Sequence, residues 1–176
     1  DPAAWDGLVA RFRWDRAPGL AVDVPLRMLG GMVRRPFSHG LDTLFFGNDG
    51  EGELWCYYPM PYGEHARLEF VNQGQDVVPM EVTLATHRGV QSGDWGYFTA
   101  FYQREVTQTG VTVQGPHLTD CRGTLRALML ESSMDTSGRI EDMQMQHLEG
   151  DLCIRTNGDR GDEHNFAATE TSVGKW

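Results

Sequence analysis

Aromatic residues crowd the segment Trp55–Tyr62, which the Pro-Met-Pro phrase at Pro59–Pro61 divides in two. This arrangement constrains the fold strongly, because proline cannot donate a hydrogen bond to a β-ladder and is seldom found inside a strand. The segment therefore predicts a strand over Trp55–Tyr58 with a rigid exit at Pro59–Pro61. The run that follows predicts the next strand over Arg67–Asn72.

The same aromatics have two possible roles. Flat aromatic faces beside a fixed loop suit the apolar faces of sugar rings, whereas the alternative is the core of a β-sandwich with a proline corner. Since successive side chains alternate between the faces of a strand, Trp55 and Tyr57 should share one face and Tyr58 the other. Only part of the set can then contact a sugar. The candidates for sugar binding are Trp55, Tyr57, Tyr58 and Tyr62.

Short apolar runs separated by Gly and Pro turns continue along the chain. Leu8–Trp14 and Val77–Thr86 alternate with a period of two, which is typical of half-buried strands. Leu26–Gly40 predicts a long loop, and Asn157-Gly158 indicates a hairpin. Further strands are predicted over Leu20–Pro25, Thr43–Phe46, Tyr97–Tyr102, Val106–Val113 and within His147–Arg155. With no useful amphipathic helix in evidence, the pattern predicts an all-β fold, a jelly-roll β-sandwich.

Composition argues against several classes of function. The chain has 176 residues and a formal net charge of -10, from 25 acidic and 15 basic residues. Phosphate binding needs a basic face, so no nucleic acid partner is expected. No window approaches the roughly 18 apolar residues of a membrane helix, so no membrane span is predicted. The 3 cysteines are too few and scattered for a disulfide framework and leave the compartment open, cytoplasmic or secreted.

One short loop raises the question of a metal site. It carries Asp159, Asp162, Glu163 and His164, and oxygen ligands in a loop suit Ca²⁺. The spacing differs from that of an EF-hand, and no paired histidines support zinc. The sequence therefore predicts a solvated acidic loop, with no metal and no cofactor.

Four motifs, in kind and in order, resemble those of glycoside hydrolase family 172 (GH172). The central one is the aromatic Pro-Met-Pro phrase, which Phe45–Gly50 precedes and a strand ending at Asn72 follows. The other three are Val22–Leu26, Leu148–Asp151 and Ala168–Glu170. This resemblance spans nearly the whole chain.

The resemblance implies a double jelly-roll fold that acts on α-furanosides of fructose or arabinose with retention at the anomeric carbon, as a hydrolase or transglycosylase. It also implies a homo-oligomer, a trimer or hexamer, with carbohydrate as its partner. Residues 1–176 would then be a jelly-roll region, part of a larger double jelly-roll protein.

The catalytic carboxylates of the family would fall on Glu149 and Glu170. A retaining pair stands roughly 5–5.5 Å apart, with one group attacking the anomeric carbon and the other exchanging protons. Our hypothesis makes Glu149 the nucleophile and Glu170 the acid/base. Burial or a neighbouring charge should then raise the pKa of Glu170, so that it stays protonated near neutral pH.

The chain departs from the family pattern at two places. After Leu26 the family has Gly-Asp-Phe-Phe-Gly where this chain has Arg27–Gly31, and after Glu170 it has Asp-Tyr-Phe where this chain has Thr171–Val173. Aromatic and acidic groups are thereby lost beside both motifs. The losses favour an alternative function, a non-catalytic jelly roll that binds carbohydrate or serves as a structural assembly module. A third reading is an extracellular building block that assembles through edge strands.

Overall fold

The computed structural model describes residues 2–32, 40–89, 95–106, 111, 113–115, 122–129, 152–155 and 163–166. The all-β class is confirmed, since helix within these ranges is limited to a 3-10 segment and one α-helical turn. The elements are a 3-10 helix at Pro2–Gly7, β1 (Leu8–Trp14), β2 (Val22–Pro25), α1 (Leu26–Leu29), β3 (Leu41–Asp42), β4 (Phe46–Asn48), β5 (Leu54–Cys56), β6 (Ala66–Asn72), β7 (Leu152–Arg155) and β8 (Glu163–Phe166). In the part of the chain so described, no helix has the length and apolar character to cross a membrane. The chain divides into two compact units, Asp1–Ala127 and Leu128–Trp176.

The main sheet of the first unit is antiparallel, in the order β2-β1-β6. The period-two prediction for its central strand is confirmed, because Leu8, Ala10, Phe12 and Trp14 are buried and alternate with more accessible residues. The Phe12 ring makes edge contacts with Trp14 and with Phe70, at centroid distances of 6.0 and 5.9 Å. This face of the sheet is the hydrophobic core.

The opposite face of the same sheet is charged. Arg11 donates a hydrogen bond of 3.0 Å to Asp23 on β2 and lies in register with Glu69 on β6. Arg13, two residues further along β1, is exposed and lies opposite Arg67. One sheet thus has an apolar face and a solvated ionic face, as the alternation of β1 requires.

A second antiparallel sheet has the order β3-β4-β5. The strand predicted over Thr43–Phe46 begins late, because Thr43 and Phe46 close a tight turn: the amide of Phe46 donates to the Thr43 hydroxyl at 3.1 Å. The loop predicted over Leu26–Gly40 likewise begins with α1. The end of α1 is joined to this sheet, because the buried side-chain amide of Asn48 donates to the Gly30 carbonyl at 2.8 Å.

The strand predictions for two further segments are wrong. Neither Val77–Thr86 nor Tyr97–Tyr102 forms a named strand, although Ala100 makes an isolated bridge with Val22. Val77 is 94% exposed and Leu84 is 59% exposed. A period of two reports only which side chains share a face, whereas a strand also needs a hydrogen-bonded neighbour.

The remaining predictions concern the second half of the chain. β7 and β8 pair antiparallel, with Arg155 opposite Glu163, as expected for a hairpin. Asn157-Gly158, proposed as its turn, lies outside the described residues, as does much of the strand predicted over Val106–Val113.

Candidate functional site

The chain between β5 and β6, Tyr57–His65, is here called the aromatic loop. It contains the Pro-Met-Pro phrase and begins where the Tyr57 amide donates to the Phe45 carbonyl at 2.6 Å. Its proline residues restrict the backbone of the first half. The second half, Gly63–His65, is held by a residue from a different part of the chain.

That residue is Asp15, which directly follows β1 and has a left-handed backbone with φ of 50°. One carboxylate oxygen, Oδ1, accepts the amides of Glu64 at 2.5 Å and His65 at 2.8 Å. The other, Oδ2, accepts the Gly63 amide and the Tyr97 hydroxyl, both at 2.8 Å. The Asp15 amide also donates to the His65 carbonyl at 2.7 Å. We call this arrangement the Asp15 clamp.

The Asp15 clamp also determines the electrostatics of the site. Hydrogen bonds from the backbone amides of His65, Glu64 and Gly63, with a smaller contribution from Tyr97, hold the pKa of Asp15 well below its usual range. The bond to Asp15 also raises the pKa of the Tyr97 hydroxyl. Asp15 therefore stays ionised near neutral pH and is unsuited to act as a general acid. Its role at this place is to fix geometry.

Tyr62 is the last aromatic residue of the loop, immediately before Gly63. Its ring stacks on that of Trp14 with centroids 6.5 Å apart and planes inclined by 11°. Trp14 is itself buried, and its indole N–H donates to the Phe98 carbonyl at 2.7 Å. Tyr62 remains 40% exposed, so part of its surface is available to a ligand.

An open depression of about 530 Å³ lies over the Asp15 clamp. It is wide and open to solvent rather than enclosed. Arg16 and Glu64 are exposed, with a nitrogen and an oxygen 3.9 Å apart. Hydrogen-bond donors, hydrogen-bond acceptors and a tyrosine ring are therefore available to a polyol. The lining residues are Asp15, Arg16, Ala17, Gly63, Glu64 and Tyr97.

The other aromatic candidates are placed differently. The half-buried Tyr58 ring stacks on Phe45 at 5.1 Å, and it also packs against Phe46 and Phe98. Trp55 lies so close to Gly47 that an added methyl group there would meet its ring at 2.5 Å. Tyr57 is 68% exposed. None of the ring contacts found among the described residues joins two of the four candidates, so they do not form one continuous platform.

Comparison with known proteins finds a family match for part of the chain. The family model described as GH172 domain-like matches residues 5–83. Residues 5–83 are thus similar to a GH172 domain. The predicted resemblance is confirmed over these residues, which include the aromatic loop and Asp15. No curated protein and no solved structure matches the chain.

The two predicted catalytic residues lie beyond the GH172-like match. Glu149 and Glu170 are outside the described residues, and so are Asp159 and Asp162 of the acidic loop. Glu163 and His164 fall on β8. Across the described ranges, no group of three or more His, Cys, Asp and Glu side chains could hold a metal ion. Burial raises the pKa of the Cys56 thiol, so it is protonated at neutral pH and is a poor nucleophile.

Asp15 and Tyr97 are the residues that sequence reasoning missed. An aspartate after a strand and before a Pro-Gly turn often accepts backbone amides, which was the available signal for Asp15. Its partners are distant in sequence, because Gly63 is 48 positions away and Tyr97 is 82 positions away. No local sequence pattern could connect residues so far apart.

Proposed function

We propose that this protein is a glycoside hydrolase that acts on α-furanosides of fructose or arabinose with retention of configuration. The observation that supports the relationship to glycoside hydrolases is the GH172 domain-like match over residues 5–83. The furanoside substrate and the retention of configuration are supported by the resemblance of the four motifs. Carbohydrate is accordingly the proposed partner.

In the proposed mechanism Glu149 and Glu170 act in two steps. The Glu149 carboxylate attacks the anomeric carbon while Glu170 donates a proton to the leaving oxygen, which forms a glycosyl ester on Glu149. Glu170 then takes a proton from water, or from an acceptor hydroxyl in transglycosylation. That oxygen attacks the anomeric carbon, breaks the ester bond and restores the original configuration.

The proposed sugar contacts come from the aromatic loop. Tyr57 and Tyr62 retain exposed ring surface on which a sugar could stack. Trp55 and Tyr58 pack inward against Gly47 and Phe45, so their part in the proposal is to support the loop. The proposed scaffold is a jelly roll, one part of a double jelly roll, into which the antiparallel sheets of the first unit would fit.

The carboxylate assignment is tested with Glu149→Gln and Glu170→Gln in the full chain. Glu170→Gln should lower turnover of methyl α-arabinofuranoside or methyl α-fructofuranoside about 10²–10⁴-fold, the usual contribution of a general acid/base. Glu149→Gln should lower it at least as much, because the glycosyl ester can no longer form. On the 4-nitrophenyl glycoside Glu170→Gln should lose less than Glu149→Gln, because nitrophenolate leaves without a proton. Glu51→Gln, at an exposed turn, serves as the matched control.

The outcomes separate the parts of this proposal. Full activity in both variants would overturn the carboxylate assignment. NMR of the first-formed product distinguishes α from β, and an inverted product would contradict retention. A chain that turns over neither furanoside, after a screen of both sugars, would contradict the enzymatic function.

One observation favours the non-catalytic alternative, a carbohydrate-binding or assembly module. Where the GH172 pattern has an aspartate and two aromatics, this chain forms the helical turn α1. Arg27 of that turn donates to the Met32 carbonyl at 2.5 Å and pairs with Asp6 at 3.4 Å. Arg27 thus makes structural contacts in the segment where the family pattern has acidic and aromatic groups. Calorimetric binding of furanosides without any release of sugar would support the alternative.

The proposal includes a homo-oligomer, a trimer or hexamer. Apolar side chains on the segment after β6 are exposed in the single chain, and an apolar surface of this kind is typical of association sites. The exposed members are Val77, Met80, Val82 and Leu84.

A further inference from the structure

The Asp15 clamp joins three segments that are far apart in sequence. It connects the end of β1 to Gly63–His65 of the aromatic loop and to Tyr97. Next to it, Trp14 supports the Tyr62 ring and bonds to the Phe98 carbonyl. The adjacent pairs Trp14-Asp15, Tyr62-Gly63 and Tyr97-Phe98 therefore hold one another in place around the open depression.

The charges around the depression limit what it can bind. The Asp15 carboxylate already accepts four hydrogen bonds, so it offers little to a ligand. Two carboxylates, those of Asp15 and Glu64, face one guanidinium, that of Arg16, so the lining has a formal negative charge that disfavours an anion such as phosphate. A neutral ligand rich in hydroxyl groups meets neither obstacle.

Arg16 and Glu64, which line the depression, can exchange their contact with each other for contacts with such a ligand. Arg16 and Glu64 are 90% and 67% exposed in their side chains, at a separation of 3.9 Å. An exposed pair of this kind contributes at most about 1 kcal/mol to stability. Its donors and acceptors are thus free to turn toward hydroxyl groups, while the Tyr97 ring offers an aromatic surface.

We propose that the depression is a subsite for one neutral saccharide ring and that Asp15 is its positioning residue. Asp15 contacts no sugar in this proposal. It holds Gly63–His65 and Tyr97 in the geometry that binds the ring, so the affinity comes from preorganisation. The inference rests on the proposed function, because the carbohydrate partner comes from there.

The test uses the full chain carrying Glu149→Gln and Glu170→Gln, so that binding is measured without turnover. Methyl α-arabinofuranoside is titrated in, and the amide signals of Gly63, Glu64 and His65 are followed by NMR. These signals should shift on binding. Adding Asp15→Ala should weaken the affinity about tenfold or more, since the ligand must then order the loop itself.

A matched control comes from the turn between β4 and β5. The Asp49 carboxylate accepts the amides of Glu51, Gly52 and Glu53 at 2.8 to 2.9 Å, away from the depression. Asp49→Ala removes a similar set of bonds and should leave the affinity unchanged. A merely structural role for Asp15 would make the two variants alike. Tyr97→Ala removes the ring and should bind weakly. Tyr97→Phe keeps the ring but loses the bond to Asp15, so its affinity should lie between those of Tyr97→Ala and the parent.

The outcomes distinguish this inference from the proposed function. If the three amide signals do not shift, or if Asp15→Ala binds as tightly as its parent, the subsite is refuted even when the wild-type chain turns over furanosides. If the signals shift and wild-type turnover is absent, the subsite stands and the enzymatic function fails. Should Asp15→Ala fail to fold, Asp15→Asn and Tyr97→Ala decide by the same criterion.

Discussion

At the scale of single residues, aspartate carboxylates organise two turns by accepting backbone amides. The Asp49 carboxylate accepts the amides of residues that closely follow it in sequence. Its pKa is lowered chiefly by the amides of Gly52 and Glu51. That turn was predictable, because Asn48-Asp49-Gly50 is a turn sequence. The Asp15 carboxylate likewise accepts backbone amides, but these belong to the aromatic loop, far away in sequence. Local sequence patterns therefore could not predict its role.

The low pKa of Asp15 predicts a specific pH dependence of stability. An unfolded aspartate titrates near pH 3.9, and the folded value lies below that. The stabilisation by ionised Asp15 is therefore complete above about pH 4 to 5 and is lost as the pH falls through the folded value. In urea unfolding, the free-energy difference between wild type and Asp15→Asn should be constant from pH 7 to about 5 and should shrink below about 4. An equal difference at pH 7 and pH 2.5 would contradict this role.

Gly47 is the glycine whose replacement should be most disruptive in the second sheet. A methyl group at this position would stand 2.2 Å from the Leu41 carbonyl oxygen and 2.5 Å from the Trp55 ring. Gly47→Ala should lower the free energy of unfolding by about 1–3 kcal/mol, as overpacking usually does. Gly19→Ala, where nothing lies within 4 Å, is the control. Thermal and urea unfolding measure both, and equal stabilities would refute the packing of Trp55 over Gly47.

At the scale of secondary structure elements, alternation predicted β1 and failed at Val77–Thr86. Both segments place apolar residues two apart. β1 has hydrogen-bonded neighbours on both sides, whereas Val77–Thr86 has none among the described strands. Strand formation depends on the availability of a partner, which a single segment does not encode.

The register of β1 with β6 leads to a prediction about surface charge. Arg13 lies directly opposite Arg67, and like charges facing each other across strands are destabilising. Arg13→Glu should raise the free energy of unfolding by about 0.2–1 kcal/mol at low salt. The gain should diminish at about 1 M salt, where charges are screened. Arg13→Gln, which only removes the repulsion, is the control, and a gain no larger than the one it produces would contradict the register.

At the scale of the whole molecule, the proposed oligomer makes the exposed apolar segment testable. Leu84 is 59% exposed in the single chain. If the segment lies in a subunit contact, Leu84→Lys buries a charge there and should shift the protein toward monomer in light scattering. Glu51→Lys, at an exposed turn, should leave the assembly intact. A wild-type monomer, or an unchanged oligomer in Leu84→Lys, would refute this contact.

The sequence by itself determined the all-β class, the buried alternation of β1 and the likeness to GH172, because each depends on neighbours in sequence. It also predicted the strand over Arg67–Asn72, which in the structure begins one residue earlier, at Ala66. Only the tertiary structure decided which aromatics face solvent and which pack inward. It alone brought Asp15 to Gly63–His65 and Tyr97. The physical reason is that hydrogen bonds and ring contacts depend on distance in space, and folding joins groups that no local pattern relates.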